Sequence, residues 1–212
     1  MALILTVIAI FLVLVASELW WRIRRPHDEV SRKAVHILVG CFAASWPWFL
    51  SRAEIVALAA AFIVVVTFSK YFNVFQAIHA VQRPTWGELS FALALGVLAL
   101  TVSDPRIFAV AVLHMGLADG VAALVGTRLG AGNAYKVFGH TKSISGSVAF
   151  LTVSLLLVLA YGLAVQVTLL AAGILLATSL VATALENISV RGLDNLTVPV
   201  FVALMLQLAA IV

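Results

Sequence analysis

Read for polarity alone, the chain is a succession of long apolar runs separated by short polar stretches. The runs lie near 2–20, 34–50, 53–69, 88–103, 107–126, 146–161, 165–185 and 195–212. Most approach the about 20 residues that an α-helix needs to cross a hydrocarbon layer roughly 30 Å thick. A segment in that layer must satisfy its own backbone hydrogen bonds, and helices do so. The pattern predicts an all-α, polytopic bundle of about eight spanning helices. No spacer rich in Pro, Gly or Ser and no internal repeat divides it, so residues 1–212 are expected to form a single membrane domain.

Composition strengthens this picture. With 64% hydrophobic and 10% charged residues among 212 and a mean hydropathy of +1.16, the chain carries more apolar surface than a water-soluble core can hide. The first run is followed by basic residues instead of being preceded by them, and no small-residue cleavage site closes it. It therefore reads as a retained spanning helix and not as a signal peptide. Cys41 is the one cysteine and falls within an apolar run, which rules out an intrachain disulfide and a thiolate metal site.

The charges fix an orientation. Threading the runs back and forth gathers the 21–33, 70–87, 127–145 and 186–194 loops on one side. There lie Arg22, Arg24, Arg25, Arg32, Lys33, Lys70, Arg83, Arg128, Lys136, Lys142 and Arg191. Only Arg52 and Arg106 fall on the other side. The positive-inside bias makes the basic face cytoplasmic and leaves both termini outside. The net charge of +4 then serves orientation and anionic headgroups, and a nucleic-acid partner is not expected. The outer connections are terse: Ser51 to Glu54, Ser103 to Arg106, and a turn at Tyr161-Gly162.

Five polar clusters mark where a water-soluble substrate would be met. In the first, Ser31 is placed to cap a helix on which Arg32, His36 and Gly40 stack at intervals of four. Arg32 and Lys33 serve either as interfacial anchors or as phosphate ligands, whereas an imidazole one turn inside a bilayer requires a partner. In the second, Arg83, Thr85 and Glu88 follow a stretch from Tyr71 to Val81 that fits an interfacial helix. Glu88 opens a helix, where a carboxylate is favoured with or without a chemical role.

The third cluster places Gly116, Asp119, Ala123, Gly126 and Gly130 on one stripe of small residues. Helix packing explains the glycines. It does not explain Asp119, whose carboxylate is costly in a membrane without a metal, a cation or a proton. His114 lies well round the helix from Asp119 and reads as a packed, hydrogen-bonded residue. In the fourth, Lys136, Lys142, Ser143, Gly146 and Ser147 converge on a helix start with free N–H groups, a general recipe for holding phosphate. Capping by Ser145 with two anchoring lysines is the plainer account. The spacing is not that of a Walker A loop. In the fifth, Asp194 either caps the last helix or joins Glu186 as an oxygen ligand for magnesium, which takes one or two carboxylates together with substrate phosphates.

Together these residues resemble the dolichol kinase and phytol kinase family, membrane enzymes that phosphorylate long isoprenoid alcohols, commonly from CTP. The resemblance spans nearly the whole chain after the first run. It rests on S-R-K-x-x-H-x-x-x-G at 31–40, R-P-T-x-G-E at 83–88, A-D-G-x-A-x-L-x-G-x-x-x-G at 118–130, K-S-x-x-G-S at 142–147 and D-N-L-T-V-P at 194–199. It implies nucleotide binding at Lys142, Ser143, Gly146 and Ser147, and metal or catalytic roles for Asp119 and Asp194. Phytol-kinase-like members often carry a second aspartate four residues after the first; here that position is Ala123.

The expectation is transfer of the terminal phosphoryl group of CTP, or of another nucleotide, to a membrane alcohol held between helices, at a face open to the cytoplasm. Arg32, Lys33, Lys136 and Lys142 would hold phosphates, and Mg2+ would be bound by Asp119 with Glu186 or Asp194. Arg83, Thr85, Glu88, Gly126 and Asn195 would support the substrates. His36 or a carboxylate, Asp119 or Asp194, would take the hydroxyl proton. A CTP-dependent diacylglycerol kinase is compatible with the same motifs. A cytidylyltransferase lacks its usual H-G-G-x-x-D-R-x-D ending here, an aspartate-rich prenyltransferase lacks any D-x-x-x-D pair, and a small transporter lacks repeated halves. Homo-oligomerisation and the host membrane are left open by the sequence.

Overall fold

The computed structural model describes residues 1–24, 28–72 and 86–212, apart from eight side chains within them, those of Trp21, Arg24, Asp28, Glu29, Ser31, Arg32, Ser69 and Lys70. The chain is mostly helical. In order come α1 (Ala2–Arg24), α2 (Asp28–Ala44), a 3-10 turn (Trp46–Trp48), α3 (Arg52–Phe72), α4 (Gly87–Thr101) and α5 (Pro105–Leu113). A π-helical turn (His114–Ala118) joins α5 to α6 (Asp119–Leu129) as one continuous rod. There follow two strands, β1 (Ala134–Val137) and β2 (His140–Ser143), then α7 (Ile144–Val165), α8 (Leu169–Ile188) and α9 (Asp194–Ala209).

Among the described residues, four stretches are long and apolar enough to cross a membrane by length and composition: Ala2–Trp20, Pro105–Leu129, Ile144–Val165 and Leu169–Ile188. α4 and α9 are apolar but have 15 and 16 residues, about 22–24 Å of helix at 1.5 Å per residue. Large apolar side chains such as Ile4, Phe11, Leu156, Leu163, Leu176 and Leu180 stand exposed along α1, α7 and α8. That much outward apolar surface belongs against lipid.

α9 runs through the middle of the bundle, packed on α4, α5, the π-helical turn and α8, with Val198, Val202 and Leu206 fully enclosed. α2 crosses the α5–α6 rod at its π-helical turn, and α1 packs on α2. The crossing is very close: a Cβ on Gly40 would lie 2.6 Å from the Cα of Gly116. No side chain fits there, which gives these two glycines their place on the small-residue faces. A second approach joins α6 to α7, where a Cβ on Gly146 would come within 3.0 Å of the Ala122 carbonyl and 3.5 Å of the Gly126 Cα.

The structure corrects several expectations. The helix expected to be capped by Ser31 begins earlier, at Asp28, so Ser31 lies within it. The turn expected at Tyr161-Gly162 falls at Gln166–Thr168. Gln166 takes the left-handed conformation (φ 55°) that ends α7 and bonds back to the Gly162 carbonyl, while Thr168 caps α8 through Ala171. Gly162 instead lets α8 approach, its Cβ position lying 3.1 Å from Leu175. The all-α expectation misses a β-hairpin: β1 pairs antiparallel with β2 around Phe138-Gly139. Both turn residues have positive φ, 46° and 80°, as a two-residue hairpin turn requires. The stretch from Tyr71 to Val81 lies mostly outside the described residues.

Candidate active site

The site starts from an irregularity in a helix. At the π-helical turn, the Asp119 N–H bonds to the carbonyls of His114 and Gly116, leaving that of Met115 for another donor. His36 on α2 fills the place, its Nε2 2.8 Å from the Met115 oxygen. A carbonyl only accepts, so Nε2 carries the proton. The same nitrogen lies 3.4 Å from Asp119 Oδ2. Three residues earlier on α2, Lys33 donates to Asp119 Oδ2 at 2.5 Å. Lys33 and Asp119 are both buried, 6% and 5% exposed. A buried charge requires a partner of opposite sign, and here the two supply each other.

The hairpin builds a second ion pair beside the first. Opposed residues of an antiparallel pair share a face, so Lys142 sits with Tyr135, and Lys136 with Thr141 on the other face. Lys142 reaches α8, donating to the Glu186 carboxylate at 2.5 Å and to its carbonyl at 3.0 Å. Burial works against the ammonium, yet the Glu186 carboxylate beside it, with Asp194 and Asp119 farther off, holds its pKa above the ordinary lysine value. Tyr135 fastens the hairpin to α7 and α8: its hydroxyl donates to Asn187 Oδ1 at 2.5 Å and lies 2.7 Å from Ser147 Oγ.

Both ion pairs open on one cavity of about 500 Å3 between the hairpin and the adjoining ends of α2, α6, α7, α8 and α9. Asp119, Glu186 and Asp194 meet there, with one oxygen from each lying within 4.8 Å of the others. Among the described residues no hydrogen bond or ion pair reaches the Asp194 carboxylate. α9 starts at Asp194 without a side-chain cap, so capping does not account for this residue. The Lys33 and Lys142 ammonium groups, and Arg191 on the cavity wall, stand beside these three carboxylates, the potential metal donors. The donors are all oxygen and come from three helices, a set that suits a hard divalent cation such as Mg2+.

The chain is 32% identical to the phytol kinase of Synechocystis sp. over 201 residues, which is 91% of this chain and 84% of that relative. It belongs to the phytol kinase and dolichol kinase family. No family model and no solved structure matches it. Ala123, the position at which the sequence departs from the phytol-kinase-like pattern, lines the cavity in this family member. The carboxylates accompanying Asp119 come from Glu186 and Asp194 on other helices.

Of the residues singled out in the sequence, the structure brings Lys33, Asp119, Gly126, Lys142, Ser143, Gly146, Ser147, Glu186 and Asp194 to the one cavity. Lys33 and Lys142 are engaged by carboxylates there. Ser143, not Ser145, caps α7, accepting from the Gly146 N–H at 3.1 Å; Ser145 bonds to Asn133 instead. Lys136 is exposed and does not line the cavity; its partner across the hairpin is Thr141, not Lys142. His36, Glu88 and Asn195 sit at a separate, apolar slot next to the cavity. His114 is a packing residue, bonded to Val110 and to Ser154 on α7. Arg83, Thr85 and the side chain of Arg32 lie outside the described residues. His140, Thr141, Ser189 and Arg191, which the sequence does not single out for the site, also line the cavity, and the sequence passes over Tyr135 as well. A lone tyrosine in a polar loop carries no motif; only the hairpin register reveals its position.

Proposed function

We propose that this protein is a CTP-dependent kinase that phosphorylates an isoprenoid alcohol in the membrane, with Mg2+ as its cofactor. Family membership supports the kinase reaction and the class of acceptor. The observation carrying the reading furthest is the meeting of three carboxylates and two ammonium groups in one cavity at the N-terminus of α7. Phosphoryl transfer asks a protein mainly for positioning and charge neutralisation, and this cavity offers both.

Asp119, Glu186 and Asp194 are the residues that would hold Mg2+, which when bound supplies charge neutralisation on the transferring phosphate. Lys142 and the first turn of α7, entered through Ser143 and Gly146, take the triphosphate, and Lys33 turns from Asp119 toward it as the carboxylate is engaged. The alcohol oxygen attacks the terminal phosphorus, the bond to the bridging oxygen of the β-phosphate breaks, and CDP leaves. The hydroxyl proton passes to the Asp194 carboxylate. His36 Nε2 already carries a proton, donated to Met115, so that nitrogen takes none; the imidazole steadies Asp119 from 3.4 Å instead.

The eight helical rods among the described residues act as about eight spans, the shorter α2, α4 and α9 lying between longer neighbours. The basic loops face the cytoplasm and both termini lie outside, a placement supported by the eleven-to-two partition of Lys and Arg. The test is to offer purified protein gamma-labelled CTP, ATP or GTP with farnesol, phytol, a polyprenol or diacylglycerol. Label passing from CTP to an isoprenoid alcohol, with CDP released, is the expected result. Label entering only diacylglycerol, or release of pyrophosphate in place of CDP, would overturn the assignment.

A further inference from the structure

Next to the charged cavity is a slot of about 60 Å3 with the opposite chemistry. Its walls are Ile10 and Leu14 of α1, Val35 and Val39 of α2, Phe62 of α3 and Phe91 of α4. The ring of His36 stands between the two spaces, edge to face with Phe91 at 5.2 Å and 3.4 Å from Asp119. On α9 two consecutive residues divide between them: Asp194 lines the cavity and Asn195 the slot.

Asn195 is 4% exposed. Its Nδ2 donates to the Gly87 carbonyl at 3.0 Å, which fixes the amide, and its Oδ1 is buried with no hydrogen-bond partner among the described residues. A buried acceptor without a donor is uncommon and calls for an explanation. Asn195 lines the apolar slot together with His36 and Glu88, and an O–H group reaching it from there would complete it. Size narrows the occupant. A water-sized group takes about 10–15 Å3 of such space, so the slot admits on the order of four to six heavy atoms, close to one five-carbon isoprene unit.

We propose that this slot is the acceptor site, seating the hydroxyl-bearing isoprene unit with its O–H donated to Asn195 Oδ1 and its oxygen facing the cavity. The inference rests on the kinase reading above and specifies where the lipid enters the reaction. The remainder of the chain leaves past α1, which packs mainly on α2, and lies in the bilayer. Such a slot selects for the shape of the first unit and is indifferent to the number of units beyond it. Asn195 binds and aims the hydroxyl; the proton is still taken by Asp194 as the oxygen bonds to phosphorus.

The experiment fills the slot from two sides, with Leu14→Trp and Val39→Phe, and measures KM for farnesol and for CTP separately. The expected result is an acceptor KM raised about tenfold or more with the CTP KM within about twofold of wild type. Because bulky substitutions can disturb insertion, wild-type protein is also labelled with a farnesol analogue carrying a diazirine on its first isoprene unit. Adducts are expected on Val39, Phe62 and Phe91. Unchanged acceptor KM in folded variants, or adducts confined to outward faces of the helices, would overturn the slot while leaving the kinase assignment standing. If the wild type phosphorylates no isoprenoid alcohol at all, both fall.

Discussion

The two ends of the bundle use charge in opposite ways. At one end Ser51 and Glu54 form a local box, with Ser51 N and Oγ each 2.8 Å from Glu54 Oε2, and Asp104 caps α5 while pairing with Arg106 two residues on. These partners are near neighbours in sequence and largely open to solvent. At the other end Lys33 pairs with Asp119 across 86 positions and Lys142 with Glu186 across 44, with the carboxylates buried. Local pairs finish helices and persist wherever those helices go. Distant buried pairs exist only when α2, α6, β2 and α8 are assembled, and that coupling of fold to charge is what an active centre requires.

Breaking the buried end should have the largest effects. Asp119→Asn is expected to lower kinase turnover by about 10²–10³-fold, the usual loss when a charge-stabilising group is removed from a reaction centre. Asp119→Leu should also destabilise the protein by about 3–5 kcal/mol, since it leaves Lys33 charged and alone. Adding Lys33→Met should recover most of that stability, read as the melting temperature in detergent, without recovering turnover. Recovery of both would mean the pair is structural only.

Glu186→Gln probes the second pair and should lower turnover less, by about 10–100-fold. It also carries a pH signature. The raised pKa of Lys142 means that its ammonium stabilises the folded state fully below the unfolded lysine value of about 10.4, a contribution lost only as pH rises through the higher folded value. In Glu186→Gln, burial acts with less opposition and the loss should move to lower pH, as followed by the chemical shift of isotopically labelled lysine methylene carbons. At the opposite end, Asp104→Ala should cost about 1 kcal/mol as a lost helix cap and leave turnover unchanged. Ser51→Ala should do less still.

How much of this could be read in the chain follows from the same contrast. Asp119 was legible because a carboxylate in an apolar run has no local explanation, and the close-approach glycines because their spacing survives into the packed helices. The pairing of Lys33 and Lys142 with carboxylates was not, since sequence offers no ruler across 86 or 44 positions. The hairpin escaped because two strands of four residues carry too little alternation to stand out from a polar loop. That omission misplaced the cap at Ser145 and turned Lys136 toward a cavity it does not line. Asn195 was noticed in a motif, but its unpartnered oxygen and the apolar slot beneath it are properties of packing alone.

The central claim is that three carboxylates from α6, α8 and α9 form one metal centre for phosphoryl transfer. Its most direct test is to titrate Mn2+, as a paramagnetic stand-in for Mg2+, into protein and CTP, comparing wild type with Asp119→Asn, Glu186→Gln and Asp194→Asn. The account predicts a protein-bound Mn2+ signal with CTP that each single substitution weakens. Wild-type Mn2+ affinity in all three variants would contradict it.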